Sequence, residues 1–308
     1  MRGRNAAGAV HAVQEELTAG NHFSGPVYPG PFFIPVKTIA SSAAMQRQAL
    51  LWQREGIPVV LVPTMGALHA GHLSLIRRAR KVVGDMGIVV VSIYVNPMQF
   101  NDAKDLRAYP RPLAADKKLC RAEGVDVVFA PSSLYEKDSS VSIDETVVSR
   151  GMEGEARPGH FRGVVTVVVK LCNLVQPTAA ILGEKDWQQA ALIRRVVRDL
   201  DLPVRIVVAP TVREADGLAC SSRNVLLSVT ERKQATALWQ AIGLARKGNL
   251  RGLKRRLILF IEKQPNARVD YVEFFDEQTM RPVKPKKGAR MALAVFIGKT
   301  RLIDNARI

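Results

Sequence analysis

The stretch PVVLVPTMGALHAGHLSLIRRARKVV, Pro58 to Val83, decides the fold. Val59, Val60, Leu61 and Val62 form an unbroken aliphatic run of strand length, as in a strand buried on both faces of a parallel sheet. After Gly71 the period changes. Leu73, Leu75, Ile76, Ala79, Val82 and Val83 recur at three- and four-residue spacing, with Arg77, Arg78, Arg80 and Lys81 between them, which is the pattern of a helix with one face on a sheet. His69 and His72 stand at the junction. Unpaired N–H groups and the positive end of the helix dipole favour an anion there, and Gly66 and Gly71 remove side chains that block its approach. Imidazole adds a donor that is neutral or charged near pH 7. Two ordinary capping histidines are the bland alternative; the glycines at a strand-to-helix junction weigh against it.

Outward from this junction, further apolar runs at Gly87 to Val95, Val125 to Ala130, Ala179 to Gly183 and Val204 to Ala209 read as strands. Leu113 to Glu123 and Gln188 to Leu200 have helical spacing, and Phe161 to Val175 reads as a buried helix despite its β-branched TVVV. This alternation predicts an α/β fold: a Rossmann-like, doubly wound parallel sheet domain over residues 37–209. From Pro210 the texture changes to helices at Thr230 to Lys247 and Arg251 to Lys263, then strands at Val269 to Phe275, Met291 to Ile297 and Thr300 to Ile303. Residues 210–308 are therefore expected to form a smaller α+β domain, with the active cleft between the two at the carboxyl ends of the parallel strands. Residues 1–36 lack clear period and end in SGPVYPGPFFIP, so they read as a poorly ordered extension without signal-peptide character.

The 308 residues are 47% hydrophobic and 24% charged, which excludes a disordered chain. No apolar run approaches the ~18 residues of a spanning helix. Cys120, Cys172 and Cys220 are odd in number, widely spaced and form no CxxC pair, so neither a disulfide framework nor a zinc site is indicated, and a reducing cytoplasm is the simplest compartment. The net charge of +17 raises nucleic acid as a partner. From Pro210 onward there are 20 Lys plus Arg against 9 Asp plus Glu, but no aromatic stacking pattern accompanies them, so solvated surface and attraction of polyanionic substrates are the expected uses.

Four other segments fall at strand ends or helix starts. YVNPMQF, Tyr94 to Phe100, offers the neutral amides of Asn96 and Gln99 to a hydroxyl or carboxylate, or is a plain Asn-Pro turn. GEARPGHFRGV, Gly154 to Val164, carries Arg157, His160 and Arg162 among glycines, as in a flexible lid or an anchored loop. In LGEKDWQQ, Leu182 to Gln189, Asp186 and Gln189 have the spacing of a capping box, whereas Lys185 before a helix start suits a phosphate. DGLACSSRN, Asp216 to Asn224, joins Ser221, Ser222 and Arg223, which together donate several hydrogen bonds to one anion or simply cap a helix.

PTMGALHAGH, VNPMQF, RPGHFRGV, GEKDWQQ, SSRN and the terminal RLIDN, in this order, resemble the pantoate–β-alanine ligases of the HxGH nucleotidyltransferase superfamily, over about Val36 to Asn305. The resemblance implies an ATP-dependent ligase that condenses pantoate with β-alanine through a pantoyl-adenylate, releasing AMP and pyrophosphate with Mg2+ present. It implies an ATP site at Met65, Gly66, Ala67, Leu68, His69, Ala70, Gly71 and His72, continued by Gly183, Glu184, Lys185, Asp186, the backbone of Val212, and Cys220, Ser221, Ser222 and Arg223. His72 would be the proton donor and His69 its partner, with protonated His72, Lys185 and Arg223 neutralising phosphate charge. Gln99 and Gln189 would hold pantoate, with Gln99 also near β-alanine. Cys220 replaces a Met or Leu and Trp187 a Tyr or Phe of the family pattern. Ala115 stands where a second acid is common, leaving Asp116 as the expected metal ligand. A cytoplasmic homodimer acting on small molecules, without nucleic-acid or membrane partners, is implied as well. The residues by themselves also admit a nucleotidylyltransferase that stops after AMP transfer, and an RNA-binding relative of the tRNA synthetases.

Overall fold

The computed structural model describes residues 36–308; the expectation of a poorly ordered extension lies outside them, apart from Val36. Strand β1 (Lys37–Ile39) and helix α1 (Ser42–Arg54) precede β2 (Val59–Thr64), α2 (Ala70–Val83) and β3 (Ile88–Ile93). Then come α3 (Ala103–Ala108), α4 (Leu113–Ala122), β4 (Val127–Phe129), α5 (Met152–Ala156), α6 (His160–Val175), β5 (Ala179–Gly183), α7 (Trp187–Asp199) and β6 (Arg205–Ala209). The chain ends with α8 (Val229–Gln234), α9 (Ala237–Lys247), α10 (Leu253–Ile261), β7 (Ala267–Phe275), β8 (Arg290–Ile297) and β9 (Thr300–Arg307).

The first six strands form one parallel sheet in the order β1-β4-β3-β2-β5-β6. Side chains alternate across it. Val60 and Val62 of β2 pack with Leu75, Ile76 and Ala79 of α2 on one face. Val59 and Leu61 join Met45, Ala49 and Trp52 of α1 and the valines of α6 on the other. Burial on both faces explains the continuous aliphatic runs. The strand order reverses direction at β2, with β3 on one side and β5 on the other. In such a sheet the crevice lies at the carboxyl ends of the strands flanking that reversal. Those ends carry PTMGALHAGH after β2 and GEKD after β5.

The last three strands form a separate antiparallel sheet, β7-β8-β9, backed by Leu238, Ile242, Leu257 and Ile261 of α9 and α10. The α/β reading of the sequence thus holds. Some details differ. The stretch expected as one helix from Thr230 to Lys247 divides at Ala235 and Thr236, where Thr236 Oγ1 donates back to Lys233 O (2.8 Å) and Leu238 N–H donates to Ala235 O (3.2 Å). β9 runs to Arg307 rather than Ile303, because a two-residue turn at Gly298 and Lys299 (Gly298 φ +58°) sets it in register with all of β8. β1 and α1 have no individual counterpart in the sequence reading; β1 has three residues at the sheet edge, too few to show a period. The TVVV of α6 is helical because nearly the whole helix is buried, and packing outweighs the modest β-branched penalty. Among the described residues no helix is long and apolar enough to cross a membrane.

Candidate functional site: a cleft at the carboxyl ends of β2 and β5

The turn after β2 is held by a carboxylate. Asp116, in the first turn of α4, accepts from Ala67 N–H through Oδ2 (2.9 Å) and from Leu68 N–H through Oδ1 (2.8 Å). Thr64 Oγ1 accepts from Gly66 N–H (3.2 Å). Gly66 needs its φ of +81° here, and a Cβ on it would stand 2.9 Å from Asp116 Oδ2. Asp116, expected as a metal ligand, is here a support of the turn. Its side chain is 1% exposed and its two oxygens are committed to the turn. Among the described residues no three His, Cys, Asp or Glu side chains cluster as an all-protein metal cage, a kind of site that Mg2+ seldom uses.

His69 and His72 do cap the helix, and the way they do so gives the turn its chemistry. His69 is the N-cap of α2, and its Nδ1 accepts from Gly71 N–H (3.1 Å), while Nδ1 of His72 accepts from His69 N–H (3.4 Å). The ring centroids are 4.1 Å apart. Since Nδ1 of each ring is an acceptor, the neutral rings carry their protons on Nε2. Burial, then the Lys185 ammonium, lowers the His69 pKa to about 4. Burial, the neighbouring His69 and Lys185 lower that of His72 to about 3. The expectation of a protonated His72 is therefore corrected: near pH 7 both rings are neutral Nε2–H donors.

Opposite them, β5 ends at Gly183 and a tight turn, Glu184–Asp186, leads into α7. The Glu184 carboxylate accepts from Thr211 N–H (3.2 Å) and pairs with Arg290 (3.0 Å). Asp186 precedes α7 without making a side-chain cap, contrary to the capping-box reading, and lines the cleft with Lys185 and Gln189. The loop from Cys220 to Arg223 completes this wall. Cys220 N–H donates to Val212 O (3.0 Å), Ser221 Oγ accepts from Arg223 N–H (3.2 Å), and Arg223 meets Asp105 of α3 at 3.3 Å.

The glutamine at 99 is 8% exposed and already oriented: Asn96 Nδ2 donates to its Oε1 (3.0 Å) and its Nε2 reaches Met65 Sδ (3.4 Å). Asn96 itself is fully buried and also donates to Gly163 O (3.0 Å), so it supports Gln99 rather than offering its own amide to a ligand. Nor is GEARPGHFRGV a flexible lid here. Arg157, which closes α5, and His160, which opens α6, clasp the main-chain oxygen of Gln99, through Arg157 Nη2 (3.3 Å) and His160 Nδ1 (2.9 Å). Arg162 faces outward to Asp144 (2.8 Å). Burial and then Arg157 lower the His160 pKa to about 4.

One cleft thus brings together Met65, His69, Gly71, His72, Gln99, Gly183, Lys185, Asp186, Gln189, Val212, Cys220, Ser221, Ser222 and Arg223. Gly66, Ala67, Leu68, Ala70, Glu184 and Asp116 do not line it; they shape the turns that do. Tyr109 lines it too, though the sequence reading does not single it out: burial raises the pKa of its phenol, against the opposing pull of Ser222 and Arg223. Nothing in the local AYPRP sequence signals it. The cleft is short of negative charge. Burial first and then repulsion from Arg223 lower the Arg157 guanidinium, as expected of cations gathered to face an anion.

The sequence pattern of the pantoate-beta-alanine ligase family matches residues 37–307. The pantothenate synthetase of Akkermansia muciniphila is 47% identical over 281 residues, spanning 89% of this chain and all of that protein. The crystal structure of pantothenate synthetase from Thermus thermophilus superposes with a TM-score of 0.80 at 40% identity, covering 88% of this chain and 99% of that one. The Francisella tularensis pantoate-beta-alanine ligase, solved in complex with beta-gamma ATP and beta-alanine, gives 0.75 at 33% identity, covering 88% and 97%. The chain belongs to the pantoate-beta-alanine ligase family.

Proposed function

We propose that this chain joins pantoate to β-alanine with ATP in two steps within the cleft described above. A pantoate carboxylate oxygen attacks the α-phosphorus, the bond to the bridging oxygen breaks, and pyrophosphate leaves. The unprotonated β-alanine amine then attacks the acyl carbon of pantoyl-adenylate, the acyl–oxygen bond breaks, AMP leaves, and the nitrogen loses a proton. The observation that carries this reading is the convergence of two neutral imidazole donors, Lys185 and the Ser221–Arg223 loop on one cleft that also holds the oriented amide of Gln99.

The carboxylate and the triphosphate that meet in the first step are both anionic, so positioning and charge stabilisation supply the acceleration. Nε2–H of His72, the Lys185 ammonium and Arg223 stand ready for the phosphate oxygens, with Ser221 and Ser222 adding hydroxyl donors. His72 donates a hydrogen bond without carrying charge, so it can follow the shift of charge from α-phosphate to leaving group. Gln99 and Gln189 bind pantoate through amides that neither repel its carboxylate nor neutralise it. Mg2+ enters with the triphosphate as part of the substrate, and no step is assigned to it. Three free cysteines agree with a reducing cytoplasm, and a homodimer follows the family expectation.

A coupled assay for AMP release, run with pantoate and β-alanine together and separately, tests the reading. Release that needs both substrates is expected. Undiminished release with pantoate alone would contradict the ligation and favour a nucleotidylyltransferase.

A further inference from the structure

Asn305 has no place in the chemistry above, yet it grips the segment that carries Lys185. It lies on the edge strand β9 and is 4% exposed. Its Nδ2 donates to two successive main-chain oxygens, Glu184 O (3.0 Å) and Lys185 O (2.7 Å). Its Oδ1 accepts from Arg290 Nη1 (2.5 Å). Arg290 in turn pairs with Glu184 and Glu277 and lies 3.7 Å over the Trp187 ring. The amide has one sensible orientation: reversed, its oxygen would face two carbonyls and its NH2 a guanidinium.

Both ends of the three-residue turn are thereby clamped to the antiparallel sheet, Glu184 and Lys185 by Asn305 and Trp187 by Arg290. A lysine is a point charge on a flexible stem, so its placement depends on where its backbone is held. We propose that Asn305 is a positioning residue for Lys185, fixing the turn so that the ammonium meets the charge that develops on the α-phosphate. The inference rests on the adenylation reading of the cleft. Glu184 and Lys185 are linked to Asn305 across 121 and 120 positions of sequence, so the terminal RLIDN segment acts on the cleft through the backbone it holds.

The test is a cycle of Asn305→Ala, Lys185→Ala and the double variant, assayed by pantoate-dependent ATP–pyrophosphate exchange. A misplacement of about 1 Å costs up to about a hundredfold, so Asn305→Ala should lower kcat about ten- to a hundredfold while the KM for ATP moves less than about threefold. With Lys185 already removed there is nothing left to place, and adding Asn305→Ala should change kcat less than about twofold. Asn305→Asp keeps the shape and the acceptor for Arg290 but sets a carboxylate against two carbonyl oxygens; it should lose at least as much as Asn305→Ala, which a packing role would not require. Should Asn305→Ala fail to fold, Asn305→Ser carries the same cycle. Additive losses, a defect confined to KM, or normal exchange in Asn305→Asp would each overturn the positioning role. Near-wild-type exchange in Lys185→Ala alone would instead remove the reading of the cleft beneath it.

Discussion

The wall built on β2 and α2 is made largely by bonds that span two or three residues, the histidine caps and the Thr64 bond to Gly66, with Asp116, Ser92 and Gln99 joining from farther along the chain. The facing wall, from Glu184 to Asp186 and from Cys220 to Arg223, hangs on side chains far away in sequence. Arg213 forms a two-pronged pair with Asp304, 91 positions on (2.6 and 2.9 Å), and Arg290 and Asn305 hold the Lys185 turn. The first wall works through neutral rings whose protonation burial forbids; the second through permanent cations that buried carboxylates and amides anchor. One site therefore combines a locally encoded half and a half encoded by tertiary contact, and the two should fail to different insults.

Acid is the insult for the histidines. His69, His72 and His160 titrate near 6.5 when unfolded but at about 4, 3 and 4 in the folded protein. As pH falls, the unfolded state takes up the protons first. Stability is therefore complete above about 6.5 and is lost as pH falls toward 4 to 3, with each histidine contributing a slope of about 1.4 kcal/mol per pH unit. Urea midpoints measured between about pH 7.5 and 5 should fall steeply, and replacing His160 by Gln should flatten the slope. A midpoint that does not move over this range would mean that the rings are hydrated and that the first wall is not as described.

Removing one buried partner is the insult for the second wall. Asp304 has a side chain 1% exposed, so Asp304→Ala leaves Arg213 without its partner inside the protein and should cost about 3–5 kcal/mol in equilibrium unfolding. His72→Ala should do the reverse: turnover falls about 10²–10³-fold while the lost cap bond costs only about 1 kcal/mol in unfolding. If His72→Ala unfolds the protein and Asp304→Ala leaves it intact, the contrast between the walls is inverted. Kinetics and denaturation of the two variants side by side decide it.

The same contrast explains what can be read from the chain. The parallel sheet and the β2–α2 junction are legible because hydrophobic period and helix capping are short-range, and Val59 to Val83 contains both. Asp186 reads wrongly as a cap, and the anchoring of Glu184 is invisible in sequence, since nothing near it shows that Arg290, 106 positions on, claims its carboxylate. Asp116 is a second case of the same kind: an acid in a helix's first turn looks like an open carboxylate until the fold lays it against Ala67 and Leu68. Asn96, Arg157 and His160 carry the chemistry of ligand groups in sequence; in the fold all three bond to Gln99, and Arg157 and His160 line the cleft as well. The polar residues of this site divide into those that face the ligand and those that aim them, and that division exists only in three dimensions.

Asp105 tests the outermost contact between the walls. It sits on α3 and meets Arg223 at 3.3 Å, with the two side chains 43% and 33% exposed. A pair this open is worth at most about 1 kcal/mol, so a triphosphate competes for Arg223 easily. Binding then breaks the pair, and the carboxylate left at the mouth repels the incoming anion. Asp105→Asn should accordingly lower the KM for ATP about two- to fivefold with kcat unchanged, and raising the ionic strength should shrink the difference, because screening weakens exposed pairs. A KM that rises instead would show that Asp105 aims the guanidinium at the phosphates. It would then belong with Asn305 among the residues that hold the second wall's cations in place, and long-range anchoring would extend to the rim of the cleft.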